Sequence, residues 1–514
     1  MFRNKNLYKF TISFINLHNV LLLGIILIAI FLRFYNIPFR YPFGEDSIRD
    51  ALIAFQGARE LQLPLTGSFS SLGPFTFGPW YYFHLIIFSL LIRLEYAPWV
   101  FMGICSVLFV LVVYKIGEYL EGKKFGLLVS SLSAVAISQV GTVDLSNPNL
   151  VPIYSALAIL ILIKILRNKV SLWWTYLLGI VIGIGINIHY QAFGLLIIPF
   201  ILFLKKEKRA VNFFSAIIGI FTAFIPLILF DLNNHWYNLK NLVYYYTVGK
   251  NAIYVANRWL FYLRDFWPSH LSEFFGVSPK LGPLLSISIF VSVVIALFKR
   301  KVNKQLFYLS LIFIFNFVLL RYYWGQRSFY HLLYLQPYIL ILIGYFFWLC
   351  MRFGKISRYV AIFLFILFLA FMFNNSLRLL KSNSLNIHAR KQASVLLDLY
   401  PNRKFALYNC VLNYKFRTES VSYLLALKNK IDDNGFKIGF IDDKCPYPPT
   451  SKLSSLQATA SAQILNETYP RIKNTEAFDM SRALNSSLET LGWGPISPKI
   501  IYDSTLRWWF NEKP

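Results

Sequence analysis

Gly44–Tyr82 reads GEDSIRDALIAFQGARELQLPLTGSFSSLGPFTFGPWYY. Three carboxylates fall within six residues, Glu45, Asp46 and Asp50, with Arg49 among them, and the stretch closes on a Gly/Pro-punctuated aromatic run. It follows directly on the first long apolar segment. Ionisable groups at a membrane face are costly and by default mark function. The plainer reading is a solvated loop whose acids cap a helix starting near Ser47, because Asp is a good N-cap. On these residues alone both readings stay open.

The chain around this stretch is overwhelmingly apolar. With 56% hydrophobic and 15% charged residues and a mean hydropathy of +0.51, the composition is that of a polytopic membrane protein. The net charge of +27 does not point to nucleic acid, because Lys and Arg sit in short clusters between apolar runs and no basic face carries stacking aromatics. The abundance of Phe and Tyr suits lipid-facing helices and interfacial belts. Cysteines are too few for a disulfide scaffold and none has metal-ligand spacing. Asn19–Tyr35 lacks a small-residue cleavage site behind it and reads as a retained span.

Apolar runs long enough to cross lie at 18–37, 98–114, 125–141, 150–167, 172–189, 210–230, 282–298, 305–321, 330–349 and 358–373, with a shorter one at 191–204. The run 79–94 is ambiguous. The basic clusters around Lys5, Lys123, Lys164, Lys205, Lys299 and Arg352 all face the cytoplasm only if 191–204 crosses and 79–94 does not. The expected architecture is thus an α-helical polytopic membrane protein of about eleven spans. Its N-terminus is cytoplasmic, and 38–97, 142–149, 189–191, 231–281 and 321–329 lie on the outer side. Residues 1–373 form the transmembrane module. The more polar tail, 374–514, reads as a small α/β domain outside, with strands at Lys404–Val411 and Phe436–Ile441 and a helix at Glu419–Lys430. Cys410 and Cys445 follow the two strands, so a disulfide between them is geometrically plausible.

Asp46-Ser47-Ile48-Arg49-Asp50-Ala51, followed by Gly78-Pro79-Trp80-Tyr81-Tyr82, resembles the first outer loop of the GT-C glycosyltransferases. The likeness is to the bacterial branch related to protein O-mannosyltransferases and the lipid A aminoarabinose transferase. There the loop reads Asp-x-x-Arg-Asp-Ala and then Gly-Pro-x-Tyr-Tyr. Ser146-Asn147-Pro148-Asn149-Leu150 resembles the Asn-Pro-Asn-Leu of the same branch, and Arg327–Pro337 its Tyr/His-rich segment ahead of a late span. The likeness extends over residues 18–350 and leaves the tail unmatched. Relatives carry Asp-Glu where this chain has Glu45-Asp46. Aligning on Arg49-Asp50-Ala51 places the family's catalytic Asp on Asp46, with Glu45 its rival.

The resemblance implies a membrane glycosyltransferase of the plasma membrane. It would move a sugar from a polyprenyl-phosphate donor to a hydroxyl of a lipid, glycan or protein acceptor at the extracytoplasmic face, with inversion. A carboxylate must take the acceptor's proton, a role for Asp46 with Glu45 and Asp50 beside it, and partial burial at the cavity floor would tune it. Cations or donors must steady the departing phosphate, and Arg49, Arg258, Arg264, Arg321, Arg327 and His331 are candidates. Tyr81, Tyr82, Asp144, Asn147, Asn149 and His189 complete the substrate-facing set. No cofactor is firmly implied: a divalent cation is left open but in doubt, because Asn-Pro-Asn stands where some GT-C enzymes place a second acidic site, with Asp144 three residues upstream of Asn147.

Blander readings stand beside these. Arg49 lies three residues from Asp46 and four from Glu45, a spacing that pairs charges along one helix face. Arg321 and Arg327 fit interfacial snorkelling equally well. Asn147-Pro148 is by default a turn into a helix, and Gly78-Pro79 a helix start before an aromatic belt. Another class of function, a transporter or flippase of a lipid-linked glycan, should place charges deep within several spans. Here nearly all charges fall at span ends. A non-catalytic relative is the third reading.

Overall fold

The computed structural model describes residues 16–40, 45–70, 75–167, 171–204, 209–249, 258–299, 303–323, 329–410, 418–432, 435–441, 454–455 and 462–464. Helix α1 (Leu17–Phe34) leads to two helices of the first loop, α2 (Glu45–Glu60) and α3 (Trp80–Leu91). Then come α4 (Ala97–Glu121), α5 (Lys123–Val135), α6 (Val151–Arg167), α7 (Leu172–Ile188) and α8 (Arg209–Asn233). Short α9 (Tyr237–Tyr244) and α10 (Trp267–Phe275) precede α11 (Gly282–Phe298), α12 (Lys304–Arg321), α13 (Gln336–Phe353) and α14 (Lys355–Leu377). The tail holds α15 (Ser384–Leu399), β1 (Phe405–Cys410), α16 (Thr418–Leu427) and β2 (Phe436–Ile441).

Among the described residues, eight helices are long and apolar enough to cross a membrane. The other three expected spans are present in shorter pieces. One is α7, and another is a 3-10 turn at Tyr190–Leu196 that runs into a short helix at Ile197–Ile201. The third, 125–141, was expected as one continuous helix but breaks at Ala136 (ψ 126°) into α5 and the short helix Ile137–Gly141. Such a break orphans the last carbonyls of α5. Arg33, fully buried in the last turn of α1, satisfies them, donating to Ala134 O at 2.6 Å and Ser133 O at 3.1 Å. Ser376 Oγ donates to Val135 O at 2.7 Å.

Two contacts fix the relative direction of the first spans. His18 Nε2 lies 2.7 Å from Tyr114 Oη, and Arg33 Nε donates to Ser106 Oγ at 2.9 Å, so α1 and α4 run antiparallel. The loop between them therefore leaves and returns at the same end of the bundle. Helix α3, with 12 residues, is about 18 Å long and too short for a hydrocarbon core of about 30 Å. At the opposite end Glu121 Oε2 accepts from Arg352 Nη1 (3.0 Å) and Trp348 Nε1 (3.2 Å), while Asn303 Nδ2 donates to Leu120 O (2.8 Å). Three of the ends flanked by basic residues thus meet there.

In the tail β1 and β2 pair in parallel, with Phe405 opposite Phe436 and Cys410 opposite Ile441, and α16 forms the crossover that parallel pairing requires. Two short strands at 454–455 and 462–464 extend the sheet. The Cys410–Cys445 pairing involves a residue outside the described ones. Helices α15 and α16 pack on the first loop. Asn383 N–H donates to Phe39 O at 2.7 Å, and Asn36 Nδ2 to Ser382 Oγ at 2.8 Å.

Candidate active site

Helix α2 begins at Glu45, so Asp46 stands in its first turn, where unpaired N–H groups favour a carboxylate. Its side chain is 77% exposed. The expectation of a partly buried base at a cavity floor is therefore corrected: Asp46 stands exposed at an open rim, in the first turn of α2. One turn on, Asp50 is fully buried. Its Oδ1 accepts from Arg49 Nε (2.9 Å), Arg49 Nη2 (2.8 Å) and Tyr82 Oη (2.8 Å). Arg49 Nη1 reaches Asp46 Oδ1 at 2.6 Å, so one guanidinium bridges a buried and an exposed carboxylate. Burial lifts the Asp50 carboxyl above the usual range against the opposing pull of Arg49. Burial also opposes the Arg49 charge, but Asp50, Tyr82 and Asp46 outweigh it and raise the Arg49 pKa.

Tyr82 reaches Asp50 because Gly78-Pro79 starts α3 at a fixed place. The Gly78 N–H donates to Asn187 O at 2.8 Å, and a Cβ on residue 78 would lie 1.8 Å from Asn187 Oδ1, so only glycine fits. Tyr81 and Tyr82 are both buried. They stand behind α2 as its support and do not line the cavity.

The cavity in front of Asp46 has a volume of about 810 Å³ and is lined from the first loop and by residues 144–148, 189–191, 193, 194, 245, 246, 319, 320, 322 and 323, with 330, 331 and 334 at the start of a late span. Five segments expected on one side of the membrane thus converge at one end of the bundle. On one wall Asn147 Nδ2 donates to Ile188 O (2.8 Å) and Asn149 Nδ2 to Asp144 O (3.0 Å), which turns the Asp144 side chain toward the cavity. Asp144 Oδ1 is buried with no hydrogen-bond partner among the described residues, and burial pushes its carboxyl up to about 6. His189, just past the end of α7, stacks on Phe77 at 4.8 Å. Burial, and after it His331, holds its imidazole below the ordinary range and so neutral. His331 packs edge-on against Tyr323 at 5.2 Å.

The lining is otherwise aromatic and hydroxylic, with Ser68, Phe75, Tyr190, Tyr245, Tyr246 and Tyr330 prominent. None of these was singled out from sequence, because Tyr at a span end reads equally well as an interfacial anchor. A polar relay fixes Tyr190 among them. Asp231 caps α9 through the N–H groups of Asn238 (2.7 Å) and Leu239 (3.0 Å). Asn238 Oδ1 accepts from Thr76 N at 2.6 Å, and Tyr190 Oη donates to Thr76 O at 2.6 Å. The reversal before α9 puts His235 (φ 54°) and Trp236 (φ 60°) in the left-handed region, a costly pair held by Trp236 N donating to Asp231 O at 2.7 Å.

Arg49, Asp46, Asp144, Asn147, His189 and His331 line this one cavity. Among the described residues, Asp50, Tyr81, Tyr82, Asn149, Arg258, Arg264 and Arg321 do not. Glu45 opens α2, but its side chain lies outside the described set, as does all of Arg327. Arg264 pairs with Asp265 at 3.1 Å, Arg321 lies 4.9 Å over the Trp259 ring, and Arg258 opens the turn Arg258–Phe261. None of these three arginines is in the lining. Among the described residues no three His, Cys, Asp or Glu side chains gather as a metal site.

The family model described as dolichyl-phosphate-mannose-protein mannosyltransferase matches residues 79–236. No curated protein matches the chain. ArnT from Cupriavidus metallidurans bound to undecaprenyl phosphate superposes with a TM-score of 0.56 at 11% identity, covering 88% of this chain and 98% of that one. Its apo form gives 0.57 at 11% identity, over 87% and 97%. The Archaeoglobus fulgidus oligosaccharyltransferase in complex with Zn and sulfate gives 0.50 at 12% identity, over 82% of this chain and 68% of that one.

Proposed function

We propose that this chain, a multi-pass membrane protein with the GT-C glycosyltransferase fold and a resemblance to the mannosyltransferase and ArnT branch, transfers a sugar from a polyprenyl-phosphate donor to an acceptor hydroxyl. The observation that carries the reading is an exposed Asp46 carboxylate at the mouth of a cavity of about 810 Å³, with a bridging arginine beside it. Asp46 takes the acceptor's proton as the hydroxyl attacks the anomeric carbon from the face opposite the phosphate, and the configuration inverts. The anomeric carbon–oxygen bond breaks and the polyprenyl phosphate leaves with the electron pair. Arg49 holds Asp46 in place and keeps positive charge at the mouth for the departing phosphate. Aromatic rings and hydroxyls hold the sugar. A lipid tail can lie along the apolar outer surface of the spans. The convergence of loops at one end, with basic span ends at the other, supports an extracytoplasmic site, a cytoplasmic N-terminus and a tail domain (374–514) outside the plasma membrane.

The test is transfer in liposomes from radiolabelled polyprenyl-phosphate hexoses and pentoses to lipid, glycan and peptide acceptors. Product that depends on Asp46 supports the reading. Donor that crosses the bilayer unconsumed, at the same rate in Asp46→Asn, favours a flippase instead.

A further inference from the structure

The tail packs on α2 at a place that bears on Asp46. Tyr423 of α16 is fully buried. Its ring lies 6.4 Å from Phe55 of α2 and 6.2 Å, edge-on, from Trp99 at the start of α4. Its hydroxyl donates to Glu95 O, in the link between α3 and α4. The Glu95 side chain is in turn paired with Arg390 of α15. Arg390 Nη2 and Asn386 Nδ2 both donate to Pro38 O at 3.0 Å, just ahead of α2. Both flanks of the first loop are thus held by the tail. The opposite side of α2 rests on α3, where a Cβ on Gly57 would meet Ile86 at 2.7 Å. Helix α2 is therefore gripped between α3 and α16, and a rigid helix passes any tilt at Phe55 to Asp46, nine residues or about 14 Å away.

We infer that Tyr423 is a positioning residue for the transfer reaction: wedged between Phe55 and Trp99 and tied to Glu95, it sets the lie of α2 and hence of Asp46 at the cavity. The inference rests on the proposed transferase reading for its consequence and on geometry alone for the grip. A displacement of about 1 Å at a reacting group can cost up to 10²-fold in rate. Removing the wedge should therefore lower turnover and leave the donor cavity intact.

The test uses the full-length protein in nanodiscs with Tyr423→Ala, Tyr423→Phe and Arg390→Met. Tyr423→Ala should lose about 10–10²-fold in kcat with donor KM within about twofold. Tyr423→Phe keeps the ring and should restore most of the loss. Hydrogen exchange should rise along residues 45–60 in Tyr423→Ala, and less in Arg390→Met, with the spans unchanged. Wild-type kcat and wild-type exchange in Tyr423→Ala would overturn the inference. So would a uniform rise in exchange across all spans, which makes Tyr423 a general core residue. If the wild type itself transfers no sugar, the donor reading falls, while the exchange pattern still decides whether the tail grips α2.

Discussion

At the scale of single residues, the site divides labour between carboxylates that local sequence places side by side. Asp46 is exposed and Asp50 fully buried, although both lie in the first two turns of one helix. Asp46→Asn should fold normally and lower transfer by about 10²–10⁴-fold, the usual worth of a positioned proton acceptor. Glu45→Gln should be mild by comparison. Rates from radiolabelled donor at saturating concentration check both, and a dead Glu45→Gln beside an active Asp46→Asn would move the base back by one residue. Asp144 offers a pH test. Its folded pKa, pushed by burial to about 6, exceeds the ordinary carboxyl value of 3.8. The native state therefore binds the proton more tightly, and this stabilisation is complete below about pH 4 and lost as pH rises through about 6. Asp144→Asn should match wild type in thermal unfolding midpoint at pH 4 and exceed it at pH 8. A difference that stays constant across that range would refute the assignment.

Elements show what the sequence carries and what it hides. Hydropathy located the long apolar helices because it averages over about twenty residues. The strands of the tail were equally plain. Phe436–Ile441 is found as expected, and β1 at Phe405–Cys410 lies within the expected 404–411. The break at Ala136 was not legible. No Gly or Pro marks it in Ala134-Val135-Ala136-Ile137, and its stability comes from Arg33, 101 residues away. Arg33→Met should therefore destabilise the bundle by roughly 2–4 kcal/mol, since it leaves two buried carbonyls unsatisfied. Unfolding midpoints in detergent would register this, and an unchanged midpoint would mean that water replaces the guanidinium. The site was half legible for a related reason. Asp46, Arg49, Asp144 and the two histidines stand out as ionisable groups in an apolar chain. Tyr190 does not, because its place depends on Asp231, Asn238 and Thr76 meeting across distant loops.

For the whole molecule, sidedness is the first prediction. Single cysteines at Leu61, Lys240 and Lys428 should react with an impermeant maleimide from outside intact cells, and those at Lys123 and Phe353 only after permeabilisation. Reaction of the Leu61 and Lys240 positions from opposite sides would break the arrangement of the loops. The grip of the tail on the first loop also sets a clock. Pro38 and Arg390 are partners 352 residues apart, so at 5–20 residues per second a ribosome needs roughly 20–70 s between making one and the other. Through that interval the spans can enter the bilayer one after another while α2 waits without its outer support. Activity should therefore appear only after residues near 423 have emerged, and a nascent chain stalled at the end of α14 would be a membrane protein with every span inserted and no working site.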